Sequence, residues 1–153
     1  MTTPLPSPRL NALATAVPGH DIHQAFIDWA TPRLADERVR AVFSRMTARS
    51  GIEHRWSVLP PTSDGGSPVA SGGFSAGGGL PPTSARMHAY ADHAPELAME
   101  AIAALGDAFD AARITHIVVA SCTGFVAPGI DQILARQLGL SPTVERVLIG
   151  RTY

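Results

Sequence analysis

The sequence predicts an α/β fold, a mostly parallel sheet with flanking helices. Three observations predict it. Ile114 to Ser121 reads Ile-Thr-His-Ile-Val-Val-Ala-Ser, a β-branched apolar run suited to a central parallel strand covered on both faces. Val144 to Ile149 opens another strand, and the segment between the two has helical spacing. The chain has 153 residues, 45% apolar and 16% charged, which suits one buried core and argues against a disordered tail or a charged helical rod.

Each element follows from local chemistry. Leu10 to Val17 is short, mostly apolar and closed by Pro18-Gly19, so it is predicted as a buried strand. Asp21 is placed to cap the next segment, where Phe26, Trp29, Ala30 and Leu34 recur at helical spacing. Pro32 ends or kinks that helix. A second helix is predicted from Asp36 to Ser50, with Val39, Val42, Phe43 and Met46 as its apolar stripe and Gly51 as its stop. Ile52 to Leu59 alternates loosely and reads as a strand or hairpin arm. Pro60 to Pro82 is a loop rich in glycine, proline and serine. From Thr83 the pattern is helical again, and Pro95 kinks the helix or starts a second one. Leu97, Ala101, Leu105 and Phe109 sit four apart and define one buried face. After the strand at Ile114–Ser121 come a loop over Cys122–Gly129, a helix over Ile130–Leu138 stopped by Gly139, and the strand opening at Val144. Strands alternating with helices in this order require a mostly parallel sheet.

Composition excludes several function classes. Net charge is −1, from 12 basic and 13 acidic residues, with no basic stripe, which argues against a nucleic-acid partner. No apolar run approaches the ~18 residues of a membrane span. Met1 to Pro8 carries three prolines and none of the apolar stretch of a secretory signal, so a cytoplasmic location is expected. The single cysteine, Cys122, excludes an internal disulfide and a multi-cysteine zinc site. All 12 basic residues are arginine, so no lysine is present to serve as a general base. His88 and Asp92 lie one helical turn apart with His93 following, a weak metal pattern read as surface or packing residues, so no metal site is expected. His116 reads as a hydrogen-bonded core residue. The glycine-rich stretch Gly65 to Gly79 lacks the lysine of a phosphate loop and reads as a connector.

The segment Ile114–Gly150 carries a resemblance. Its residues are Thr115-His116, Cys122-Thr123-Gly124-Phe125, Ala127-Pro128-Gly129, Asp131, Leu138-Gly139-Leu140 and Val144-Glu145-Arg146-Val147. Upstream it continues through Phe43-Ser44-Arg45-Met46, Arg49-Ser50-Gly51-Ile52, and Thr83-Ser84-Ala85-Arg86-Met87 with Tyr90, Ala94 and Leu97. In this order the chain resembles the type III polyketide synthases, the chalcone and stilbene synthase family, and its bacterial members most. The resemblance runs from about Leu10 to Gly150. It implies the thiolase fold, two similar βαβαβ halves, of which this chain is the first, N-terminal half. Residues 1–9 are then a flexible N-terminus and 10–153 an incomplete thiolase-like domain. The implied activity is acyl transfer. A cysteine attacks an acyl-CoA thioester, and a histidine and an asparagine from the second half stabilise charge during malonyl-CoA decarboxylation and condensation. CoA thioesters are substrates, no separate cofactor is implied, and intact members are homodimers.

The family's nucleophilic cysteine follows the strand that reads here Val147-Leu148-Ile149-Gly150, after a few residues and a glycine. Here Arg151-Thr152-Tyr153 follow. The expectation is that the catalytic cysteine, histidine and asparagine lie beyond the C-terminus and that this polypeptide alone does not turn over, since the condensation needs a nucleophile and oxyanion donors. The alternatives are a condensing enzyme like β-ketoacyl-carrier-protein synthase III, whose nucleophile loop Ser-Cys-Thr-Gly-Phe superficially resembles, and a non-catalytic fragment. Cys122 stands one βα unit too early to be the nucleophile. The resemblance places it, with Thr123, in the wall of the substrate pocket; the plainer reading is an inert buried thiol. The family residue at the Ala127 position reaches across a dimer interface into the partner's cavity, and a small alanine leaves that cavity roomier. The plainer reading of this loop is turn geometry at Gly124 and Gly129. Arg45 and Arg49 are four apart and share a helix face. They match basic family positions that hold CoA phosphates, for which arginine forks are suited. Val42 occupies a third such position, and the plainer reading is a solvated face. Half of a two-half fold leaves an apolar face uncovered, which predicts self-association.

Overall fold

The computed structural model describes residues 7–68, 74 and 81–150. Much of the loop expected over 60–82, at 69–73 and 75–80, lies outside the described residues, as do most of the expected flexible N-terminus and residues 151–153. The chain divides into two compact units: Val17–Ala89, and the chain before and after it, up to Ala16 and from Tyr90.

The unit Val17–Ala89 is organised by one carboxylate. Strand β1 (His20–Asp21) pairs antiparallel with β2 (Trp56–Ser57), His20 opposite Ser57. Helix α1 (His23–Ala30) leaves directly from β1. The expected cap is displaced by one residue: Ile22 is the N-cap, and Asp21 Oδ1 accepts hydrogen bonds from the backbone N–H of His23 at 3.0 Å and of Arg55 at 3.1 Å. Its other oxygen accepts from His54 Nδ1 at 2.7 Å. The group that starts the helix therefore also ties it to the β2 segment. Above, the Arg55 guanidinium lies 4.4 Å from the Phe26 ring centre. Pro32 ends the helix in a 3-10 turn, Thr31–Arg33, and Arg33 folds back over the Trp29 ring at 4.4 Å. The longer strand expected over 52–59 shrinks to β2, because its partner has only two residues before α1 begins.

Helix α2 (Glu37–Arg49) has the predicted bounds for the predicted reasons. Asp36 Oδ1 caps it by accepting from the N–H of Arg38 at 2.7 Å and of Val39 at 3.3 Å. Gly51, at φ +68°, turns the chain away. The apolar stripe is another matter: Val39, Val42 and Met46 are exposed.

The Asp21 tie makes an acid-sensitive joint. Its pKa is lowered from 3.8 to about 2, first by the His54 hydrogen bond and then by the Arg55 and His23 N–H groups. A carboxylate with a depressed pKa stabilises the fold above its unfolded value and loses that contribution as pH falls through the folded one. Amide protection at His23 and Arg55 is thus expected to persist down to pH 3.8 and to disappear as pH falls towards about 2. Hydrogen exchange across that range tests it, and Asp21→Asn should abolish the step. A carboxyl titration centred on the ordinary aspartate value would contradict the tie.

In the other unit, β3 (His116–Ser121) and β4 (Glu145–Gly150) run parallel, in register from His116 opposite Glu145 to Ser121 opposite Gly150. Helix α4 (Ile130–Gln137) connects them and packs against both. It buries Ile130 and Leu134, each 4% exposed, together with Ala135. Gly139, at φ +63°, stops it as predicted. Arg146 and Leu148 point to the α4 side: Arg146 Nε lies 3.5 Å from Asp131 Oδ2, and Leu148 approaches Gly129. Ile117, Val119 and Ser121 form the half-buried side of β3. The opposite face is open, with Val118 60% and Ile149 55% exposed. Coverage of β3 on both faces is therefore corrected to one, because among the described residues α4 lies on a single side. His116 is likewise exposed rather than in a core, with Nε2 3.4 Å from Glu145 Oε2.

Two further expectations change. Residues 10–17 form no strand; their exposure alternates, with Leu10, Leu13 and Val17 on the open side and the alanines half-buried. A strand needs a hydrogen-bonded neighbour, and among the described residues no ladder includes this segment. Helix α3 (Thr83–Ala103) runs unbroken through Pro95, which is buried inside it, and stops before Leu105 and Phe109. Among the described residues no helix is long and apolar enough to cross a membrane.

Candidate functional site

In open α/β sheets ligands gather outside the carboxyl ends of parallel strands. At that end of β3 the chain enters a loop holding three of the expected site residues: Cys122 and Thr123, directly after Ser121, and Ala127. All three are exposed, so the inert buried thiol is not what the fold presents. The loop is held at both ends. At its start, Tyr90 Oη on α3 donates to Ser121 Oγ at 2.8 Å, and the Tyr90 ring lies so close to Gly124 that a β-carbon there would overlap it. At its close, the Ala127–Pro128 peptide is cis and Gly129 is the N-cap of α4. Asp131, in the first turn of α4, lays its carboxylate against Gly129 and pairs with Arg146 of β4.

The surroundings of Cys122 bear on its role. His116 stands at the other end of β3, about 20 Å away at ~3.3 Å per strand residue. The only asparagine in the sequence is Asn11. Cys122 also precedes β4 by a full βα unit, as the sequence predicted.

Arg45 and Arg49 belong to the other compact unit, Val17–Ala89. Both are exposed, one turn apart in the C-terminal half of α2. Arg45 Nε donates to the Ala41 carbonyl at 3.3 Å. Among the described residues neither forms an ion pair. Tyr90 and Ser121 are what sequence reasoning missed. A tyrosine is an apolar body with a polar handle that seeks a partner, but nothing local points to a serine 31 residues away.

The parallel strand–helix–strand unit with its loop at the carboxyl end defines the class of fold, and solved structures agree. The chain matches PKS-I from the brown alga Ectocarpus siliculosus with a TM-score of 0.68, over 92% of this chain and 38% of that one, at 24% identity. It matches the fungal type III polyketide synthase ORAS with a TM-score of 0.67, over 92% and 36% respectively, at 27% identity. This is the thiolase-like fold of the type III polyketide synthases, in its N-terminal portion. The family of chalcone and stilbene synthases, N-terminal domain, matches residues 7–152, and the chain belongs to it. Among characterised relatives, the α-pyrone synthesis polyketide synthase-like Pks18 of Mycobacterium tuberculosis is 42% identical over 67 residues, 42% of this chain and 17% of that protein. Bisdemethoxycurcumin synthase of rice, Oryza sativa, is 44% identical over 73 residues, 45% of this chain and 18% of that protein. The chain thus spans less than a fifth of the length of either relative.

Proposed function

We propose that the chain supplies the N-terminal part of a type III polyketide synthase, an acyltransferase that condenses an acyl-CoA starter with malonyl-CoA. The family match over residues 7–152 carries this reading. In it, Cys122 and Thr123 form part of the pocket wall, and Ala127 faces the partner's cavity in a homodimer. Arg45 and Arg49 hold CoA phosphates. The attacking thiol and its histidine and asparagine come from the remainder of the enzyme. The place of Cys122 a full βα unit ahead of β4, the strand the family's nucleophile follows, supports this division. The exposed face of β3 and β4 is where that remainder packs. The substrates, CoA thioesters, place the enzyme in the cytoplasm.

The arginine assignment has a direct test. Calorimetric titration of CoA into the protein should give an affinity that falls steeply with salt. Arg45→Ala and Arg49→Ala should each weaken it about 10- to 100-fold, the scale of ~1.5–3 kcal/mol for hydrogen bonds to charged groups. Arg38→Ala, on the first turn of the same helix, should change little. Equal affinities in all four proteins would remove the phosphate role.

A further inference from the structure

Tyr90 touches the loop after β3 at two points that no local rule connects. Its hydroxyl bonds Ser121, the last residue of β3, whose own position is set by the ladder to Gly150. Its ring fills the space that a side chain at Gly124 would need. Only Cys122 and Thr123 lie between these two points. A dipeptide anchored on both sides has little conformational freedom, and Tyr90 is itself mounted on a 21-residue helix. We propose that Tyr90 is a positioning residue: acting through Ser121 and Gly124, it sets the direction in which the Cys122 thiol and the Thr123 hydroxyl point, and so shapes the substrate-facing wall. This rests on the reading of Cys122 and Thr123 as pocket wall. The ring and the hydroxyl have separable tasks. The ring bars any side chain at position 124, and the hydroxyl holds the strand end.

Cys122 is the single cysteine, so its alkylation by iodoacetamide reports on this loop alone. With the full chain, Tyr90→Phe and Ser121→Ala should each change the alkylation rate severalfold, the effect of releasing the dipeptide at one of its two anchors. In both, the thermal midpoint and amide exchange within the hydrogen-bonded β3 should stay close to the parent. The double variant should go no further than either single one, because both remove the same bond. Ser121→Thr, which keeps a hydroxyl, should behave like the parent. Unchanged alkylation in Ser121→Ala, which leaves the ring in place, would overturn the proposal even if Tyr90→Phe failed to fold; so would additive effects in the double variant. The pocket reading is measured separately, by whether butyryl-CoA slows alkylation of the parent. Variants that act as described without that protection would discard the pocket wall and leave the positioning role standing.

Discussion

Leu134→Ala is expected to cost about 2–5 kcal/mol, the range for a buried leucine reduced to alanine. Leu134 is 4% exposed on α4 and, with Ile130 and Ala135, forms the buried apolar face that α4 turns to β3 and β4. The opposite face of β3 and β4 is open, so no second core stands behind this one to share the loss. Stabilities of whole domains are only about 5–15 kcal/mol. The thermal midpoint should therefore fall by roughly 8–40 °C, at about 4–8 °C per kcal/mol for a unit of this size. Far-ultraviolet circular dichroism on heating gives the measurement. Val118→Thr, on the open face, is the matched control and should stay within about 0.5 kcal/mol of the parent. Equal losses from the two substitutions would mean that α4 does not form the core that organises this unit.

Gly124→Ala should be the most damaging small substitution in the loop, at about 1–3 kcal/mol or more for forced overpacking. The new methyl meets the Tyr90 ring, and the ring cannot swing aside without giving up the bond from its hydroxyl to Ser121. Gly19→Ala is the contrast. Nothing lies within 4 Å of a β-carbon there, and a near-neutral result is expected. Tyr90→Ala makes room, so Gly124→Ala in that background should cost much less than alone. Urea unfolding of the four proteins measures the coupling, and strictly additive losses would show that ring and glycine do not meet.

Much of this fold was legible because it is written in short-range chemistry. Asp36 and Gly51 bound α2 since a cap and a left-handed stop act within one turn. Pro32 ends α1 and Gly139 ends α4 on the same scale. The β-branched apolar residues of Ile114–Ser121 and Val144–Ile149 mark β3 and β4 without any knowledge of their partners. Cys122, Thr123 and Ala127 share one loop because they are neighbours in the chain. Coverage was not legible. Val39, Val42 and Met46 do share one side of a helix, as their spacing says, yet that side is exposed. Leu10 to Val17 has the composition of a strand, but composition supplies no hydrogen-bonding neighbour.

By itself the sequence determined α1, α2, α4, β3 and β4 with their order, the parallel strand–helix–strand unit and the family that these residues resemble. Periodicity, caps and turn glycines operate over a few residues and need no distant partner. Only the tertiary structure decided which faces are buried, that Asp21 joins α1 to β2 through His54 and Arg55, and that Tyr90 pins the Cys122 loop. Those outcomes depend on contacts between groups more than thirty residues apart, 33 for Asp21 with His54 and 31 for Tyr90 with Ser121. No local pattern encodes a pairing at that separation.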